Sequence, residues 1–340
     1  MQIGNFQPSL KLDLLKLLIG LKITIIKIYL KYIIFKKMKS ALITGGAGFI
    51  GSHLAEFLIK KKYKVTIIDN LSKGKISNLK KIRNKIVFIK YDISKNKKNI
   101  FLKKDYDFIF HLAALTSVQE SFLKPNKYKN INFHSTKSFF KKINLNKTKK
   151  IIYAASASCY GNTSKKLVTE KNKIMPLSPY AKSKYNSEKF LKDFLKKRKI
   201  DFVSLRLFNV YGPKSQINSY TGVIDNFIMS YFKKKNLKIY SDGNQTRSFV
   251  YISDVVRAFV KICESEVKNS VFNIGSSKST TINSLANYFN LERTYLPKKK
   301  GDIRFSKSKI TKIFKYIGWK PKVNLKKGLK LTIAYKRKYD

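Results

Sequence analysis

The chain has 340 residues, 73 of them Lys or Arg against 19 Asp or Glu, a formal charge of +54. With 43% hydrophobic and 13% aromatic residues it is no disordered basic tail, and its length suits two lobes around a sizeable core. Two cysteines and three histidines supply neither a disulfide framework nor a multi-ligand zinc site, so no metal is expected.

The charge invites a nucleic-acid or anionic-membrane reading. Only 8 of the 73 basic residues are Arg, the fork that base and phosphate recognition favours. The lysines are spread along every segment, and Ile, Asn, Phe and Tyr are abundant too. This is the composition of an AT-rich coding sequence, and no specific nucleic-acid partner is expected.

Residues 14–35 are apolar but interrupted by Lys16, Lys22, Lys27 and Lys31. Each central lysine costs about 2.5–3.5 kcal/mol on membrane insertion. The uninterrupted apolar run and small-residue cleavage site of a signal peptide are missing. Residues 1–37 are therefore expected to be an N-terminal extension outside the fold, with a surface membrane anchor as the alternative. A cytoplasmic protein is expected.

Residues 40–44 (SALIT) read as a buried strand. Gly45, Gly48 and Gly51 follow, with Phe49 and Ile50 opening a helix pattern. These glycines permit a tight turn and close approach of a pyrophosphate to the helix N-terminus. The strand–turn–helix context gives this G-x-x-G-x-x-G spacing its weight. The strand at 64–68 ends in Asp69, about 20 residues on, where a carboxylate binds ribose hydroxyls and repels a 2′-phosphate. NAD is thus favoured over NADP, with Asn70 beside the site. A third strand, 86–90, leads to Asp92 and Ile93, placed to face the adenine. A fourth, 106–111, runs into Ala113 and Ala114, small enough for backbone to pass the cofactor. His111 reads as a packed strand-end residue. Strands separated by helices of this length imply a parallel, doubly wound sheet.

The strand at 150–154 continues to Ser156, and a helix beginning at Ser178-Pro179 carries Tyr180 and Lys184. Spaced i, i+4, these two share one helix face. A phenol with pKa near 10 is a poor base at neutral pH. A nearby ammonium and the positive nicotinamide are expected to lower it, with the Ser156 hydroxyl sharing the proton.

From Met38 to Leu331 the chain resembles the extended short-chain dehydrogenases/reductases of the NAD-dependent sugar epimerase/dehydratase family. The resemblance rests on the glycine turn, the Y-x-x-x-K pair, RLFNVYGP at 206–213, SDGNQTRSFVYISDV at 241–255, GDIR at 301–304 and GWKP at 318–321. It implies a Rossmann-type doubly wound α/β sheet at 38–205, to which the chain returns near 249–264. It also implies a smaller C-terminal α/β substrate lobe at 206–335 and a homodimer, for which 178–199 is a candidate surface. Ser156, Tyr180 and Lys184 become catalytic, with Tyr180 and Lys184 also touching NAD. Ser117, Asn209, Arg247 and Arg304 become contacts to a nucleotide sugar.

Within the family, dehydratases carry Asp-Glu after the catalytic hydroxyl residue and sugar-acid decarboxylases a Glu two places after it. Ala157 and Ser158 stand there, which points to 4-epimerisation of a UDP-hexose through a transient 4-keto sugar. The segments 113–118 and 220–224 resemble UDP-glucose/UDP-N-acetylglucosamine 4-epimerases. In these enzymes the position of Ser306 borders the sugar's 2-substituent, and a small residue leaves room for an N-acetyl group, unless Ser306 merely caps a helix. Ser248 replaces the Asp that in the family orients the preceding Arg. Two further readings stay open: another epimerase or a reductase of the family, and a basic nucleic-acid- or membrane-binding protein on a Rossmann fold.

Overall fold

A computed structural model describes residues 16–26, 38–95, 100–163, 167–215 and 222–339. Tyr220, Thr221 and the rest of 1–37 lie outside the described residues. The chain divides into two units, Met1–Lys39 and Ser40–Asp340. In the first, residues 16–26 are helical, and Leu17, Leu18, Leu21 and Ile25 are each more than half exposed. Among the described residues no helix is long and apolar enough to cross a membrane.

The second unit is built on strands too apolar to face water. β1 (Ser40–Thr44), β2 (Lys64–Asp69), β3 (Ile86–Lys90), β4 (Phe108–His111), β5 (Lys150–Ser156), β6 (Asp201–Leu207) and β11 (Ser270–Ile274) form a seven-stranded sheet in the order β11-β6-β5-β4-β1-β2-β3. Every pairing is parallel. Side chains alternate across it, so Ala41 and Ile43 join one core while Leu42 joins another on the opposite face. Burial on both faces is why the strands read as continuous apolar runs.

Helix α1 (Phe49–Lys60) crosses from β1 to β2, and α2 (Pro179–Lys196) from β5 to β6. Helix α3 (Ile252–Glu264) leads into β11, so the strand by which the chain rejoins the sheet is Ser270–Ile274, paired with β6. Short two-stranded sheets carry the remaining segments: β7 (Asn209–Tyr211) with β10 (Phe249–Tyr251), β9 (Thr246–Arg247) with β12 (Thr280–Thr281), and β8 (Leu237–Tyr240) with β13 (Arg293–Leu296). β1 and β4 lie in the sheet's middle, where the order reverses and the C-terminal ends of neighbouring strands leave a crevice.

Candidate active site

The first half of the site is the turn between β1 and α1. Gly45 has φ +70°, and a Cβ on it would lie 2.8 Å from the Ala113 nitrogen. A Cβ on Gly51 would lie 2.3 Å from the Gly45 carbonyl oxygen. Glycine is thus required for the turn to close, for the loop after β4 to pass it and for α1 to pack. Gly48, at the N-cap of α1, makes no side-chain hydrogen bond, and no acidic residue sits in the first turn. The positive end of α1, with Phe49 and Ile50 in its first turn, is left to an anion.

Asp69, at the end of β2, accepts hydrogen bonds from the Ala47 nitrogen (3.0 Å) and the Leu71 nitrogen (2.8 Å). Burial holds its carboxyl above the usual range, against the pull of those two amides. A Cβ on Gly74 would come within 2.8 Å of both Asp69 oxygens, so this glycine, which sequence reasoning passed over, keeps space at the carboxylate. Beyond it, Asn70, Ser72, Lys90, Tyr91, Asp92 and Lys95 line an open cleft of about 430 Å³. Asp92 accepts from Ser94 nitrogen (2.8 Å) and Ser94 Oγ (2.6 Å). Ile93 is half-buried beside it, as are Ala113 and Ala114 beyond β4. A glycine turn at a helix N-terminus, an anchored carboxylate at the next strand end and a cleft beyond fit an NAD dinucleotide.

The second half lies where β5 meets α2. Ser178 caps α2, accepting from the Ala181 nitrogen at 3.1 Å, and Pro179 takes the first helical position. Tyr180 and Lys184 follow on the buried face, 9% and 4% exposed. Ser156 ends β5. Its hydroxyl pulls the pKa of the Tyr180 phenol down and lies 2.8 Å from Ser158 Oγ. The Lys184 ammonium sits 4.2 Å from the Tyr153 ring centroid, and Tyr153 donates to the Lys184 carbonyl at 3.2 Å.

The expected depression of the Tyr180 phenol is not found in the protein alone. Burial pushes the phenol up, and only the Ser156 hydrogen bond pulls it down. Lys184 does not offset the burial, being itself pushed down to about 7 by burial against the attraction of Glu188. His111 is fully buried, with Thr44 Oγ1 and Thr136 Oγ1 each 2.8 Å from a ring nitrogen. Burial first and the Lys184 charge second push it down to about 3, so it is a neutral packing residue.

The expected substrate contacts are brought to one region but are engaged with protein partners. Arg247 pairs with Asp302 and donates to the Thr246 (2.8 Å) and Ile303 (2.7 Å) carbonyls. Arg304 binds Asp242 through both oxygens, at 2.6 and 2.9 Å. Asn209 donates its backbone N–H to the Ser248 carbonyl at 3.1 Å. Ser117 caps the short helix Val118–Leu123, accepting from Glu120 nitrogen at 3.0 Å. Ser306 is half-buried, and its backbone N–H donates to Thr246 Oγ1 at 3.2 Å. It caps no helix, since the next begins at Thr311.

Ser248 does not orient Arg247. Its fully buried hydroxyl bonds to the Ser276 carbonyl (2.7 Å), away from Arg247, whose orientation comes from Asp302 instead. The carboxylates at 242 and 302 are the partners that the sequence alone did not reveal.

Fold and site together define a dinucleotide-dependent enzyme with extended short-chain dehydrogenase/reductase architecture. Residues 41–275 match the NAD dependent epimerase/dehydratase family. The UDP-glucose 4-epimerase of Thermotoga maritima superimposes with a TM-score of 0.82 at 35% identity, covering 88% of this chain and 99% of that one. The UDP-N-acetylglucosamine 4-epimerase of Methanobrevibacter ruminantium, solved with UDP-N-acetylmuramic acid, gives a TM-score of 0.83 at 35% identity, covering 89% and 99%. A UDP-N-acetyl-alpha-D-glucosaminuronate decarboxylase of Bacillus cytotoxicus is 31% identical over 319 residues, 89% of this chain and 99% of that one. The chain belongs to the NAD dependent epimerase/dehydratase family, and NAD is its cofactor.

Proposed function

We propose that this protein is a UDP-hexose 4-epimerase that interconverts UDP-glucose with UDP-galactose and the N-acetylated pair. The observation that carries the reading is the set of groups around Ser156. Its hydroxyl lowers the pKa of the Tyr180 phenol, and the next two residues are Ala157 and Ser158. Elimination of water needs an added acid and base, and none of these side chains supplies one. The set suits a single proton moving between substrate and protein.

The cofactor, when bound, takes up a hydride from the sugar's C4 and gives it back. Tyr180 takes the proton of the 4-hydroxyl, leaving a 4-ketone, and returns it when the opposite face of C4 has been reduced. Ser156 shares that proton and orients the oxygen. The Lys184 ammonium adds positive charge one helical turn from the phenol, and burial of the pair excludes water. Asp69 holds the adenosine ribose. Arg247 and Arg304 hold the substrate diphosphate, and Asn209 and Ser117 the remaining polar groups. A cytoplasmic homodimer, with residues 38–205 as the cofactor domain and 206–335 mainly as the substrate lobe, belongs to the same reading.

The test is incubation of purified protein with UDP-glucose, UDP-N-acetylglucosamine and UDP-glucuronate, without added NAD, followed by separation of the product epimers. The first two are expected to reach a mixture of 4-epimers. A decarboxylated pentose product, or no conversion of any of them, overturns the reading.

A further inference from the structure

The buried face of α2 carries a third polar residue in line with Tyr180 and Lys184. Glu188 lies one further helical turn along and is 5% exposed. It makes no contact with solvent that would explain an acid in this position. Arg206 on β6 holds it with two donors, Nε at 3.1 Å to Oε2 and Nη2 at 2.5 Å to Oε1. Ser204 Oγ adds a third donor at 2.7 Å. Arg206 itself is 5% exposed, so both charges are desolvated and each requires the other.

The clamp reaches both halves of the catalytic machinery. In the sheet register Ser204 pairs with Tyr153, whose ring lies under the Lys184 ammonium, and Arg206 pairs with Ala155, next to Ser156. Arg206 Nη1 donates to the Tyr160 hydroxyl at 2.9 Å, and Tyr160 donates to Asn273 Oδ1 at 2.6 Å. The turn carrying Ser156 and Ser158 is thereby tied to the strand that holds Glu188. Among the described residues, the charged and titratable groups that act on Lys184 are His111 on β4, Tyr153 on β5 and Glu188 on its own helix, with the Arg206 guanidinium behind Glu188. Of these, Glu188 is the carboxylate.

We propose that Glu188, clamped by Arg206 and Ser204, is a positioning residue that favours the charged form of Lys184 and keeps its ammonium seated on the Tyr153 ring, one helical turn from Tyr180. Burial works against that ammonium and the Glu188 charge works for it. Without that carboxylate a Lys buried in this place gives up its proton at still lower pH and no longer assists the phenol. This rests on the proposed epimerase reading only for the turnover assay, because Lys184 also belongs to the NAD site.

The experiment compares the wild type with Glu188→Gln, which keeps the shape but not the charge. A second variant, Glu188→Gln combined with Arg206→Met, removes both buried charges and guards against misfolding from an unpaired arginine. Turnover and NAD binding by calorimetry are both measured from pH 5 to 9. Loss of an opposite charge shifts a neighbouring group by about one unit or more. The alkaline limb of both profiles is therefore expected to move about one pH unit lower in Glu188→Gln, with kcat at pH 8 down about tenfold and KM for the sugar unchanged. The double variant is expected to move the same way by a smaller step. A folded variant of either kind with the wild-type alkaline limb overturns the proposal. A wild type that binds NAD but epimerises nothing overturns the epimerase reading instead, and the NAD-binding profiles still decide the role of Glu188.

Discussion

Arg304 grips Asp242 with two parallel hydrogen bonds, Nη1 at 2.6 Å and Nη2 at 2.9 Å, at the mouth of the region that also holds Arg247. Asp242 is held below the usual carboxylate range first by that hydrogen bonding. The pair is exposed, so it contributes little to folding. In the proposed epimerase the pair would hold a planar fork in place for the substrate diphosphate. Arg304→Ala is therefore expected to raise KM for the nucleotide sugar about tenfold or more. The melting temperature and NAD binding should stay at wild-type values. Steady-state kinetics with a thermal melt checks this, and an unchanged KM removes Arg304 from the substrate site.

Tyr180→Phe removes the phenol on which the Ser156 hydroxyl acts. Loss of a general acid–base group costs about 10²–10⁴-fold. The variant should still bind NAD, since only one oxygen is lost. Ser156→Ala acts differently. The phenol is raised by burial and lowered by the Ser156 hydrogen bond, so deleting that bond raises it further. The active phenolate then forms at higher pH, and the acidic limb of the kcat profile should move upward. A pH–rate series on the two variants separates these effects; an acidic limb that stays in place in Ser156→Ala contradicts the assigned hydrogen bond.

The β1–α1 turn predicts a steric lesion. A methyl at position 51 meets the Gly45 carbonyl oxygen at 2.3 Å and Gly46 Cα at 2.7 Å, both rigid backbone. Gly51→Ala should cost about 1–3 kcal/mol in stability, as overpacking does elsewhere. It should also weaken NAD binding, because the turn that faces the pyrophosphate is the part that shifts. Denaturation and cofactor titration on the same preparation test both; loss of neither means that the turn has room the geometry denies it.

The parts of the site that could be read in the sequence are those where chemistry is local. The glycine spacing encodes a turn, Asp69 terminates an apolar strand, and Tyr180 with Lys184 is a helical repeat. What could not be read depends on residues far apart in sequence. Arg247 takes its orientation from Asp302, 55 residues on, and Arg206 finds Glu188 only because β6 lies beside α2. The direction of the Tyr180 shift also escaped, because the pattern places the ammonium nearby but does not show how deeply both groups are buried. Strand β11 was not singled out, since its five residues carry no signal beyond a short apolar run.

Ser306 supplies the test of substrate range. Its backbone N–H is held by Thr246 Oγ1 at 3.2 Å, and two residues on Ser308 is fully buried against Ser248 and the Ser276 carbonyl. Two residues before it, Arg304 donates its backbone N–H to Asn162 Oδ1 at 3.2 Å. The segment is anchored on both sides, so a larger side chain at 306 has to take space from its surroundings instead of moving the backbone. Ser306→Tyr is expected to depress turnover of UDP-N-acetylglucosamine by about 10–100-fold, the range that pocket fit discriminates. UDP-glucose, with only a hydroxyl at C2, should be affected much less. The quantity to measure is the ratio of kcat/KM for the two substrates in each protein. A ratio equal to that of the wild type places the sugar's 2-substituent elsewhere and leaves Ser306 as a residue of the backbone scaffold.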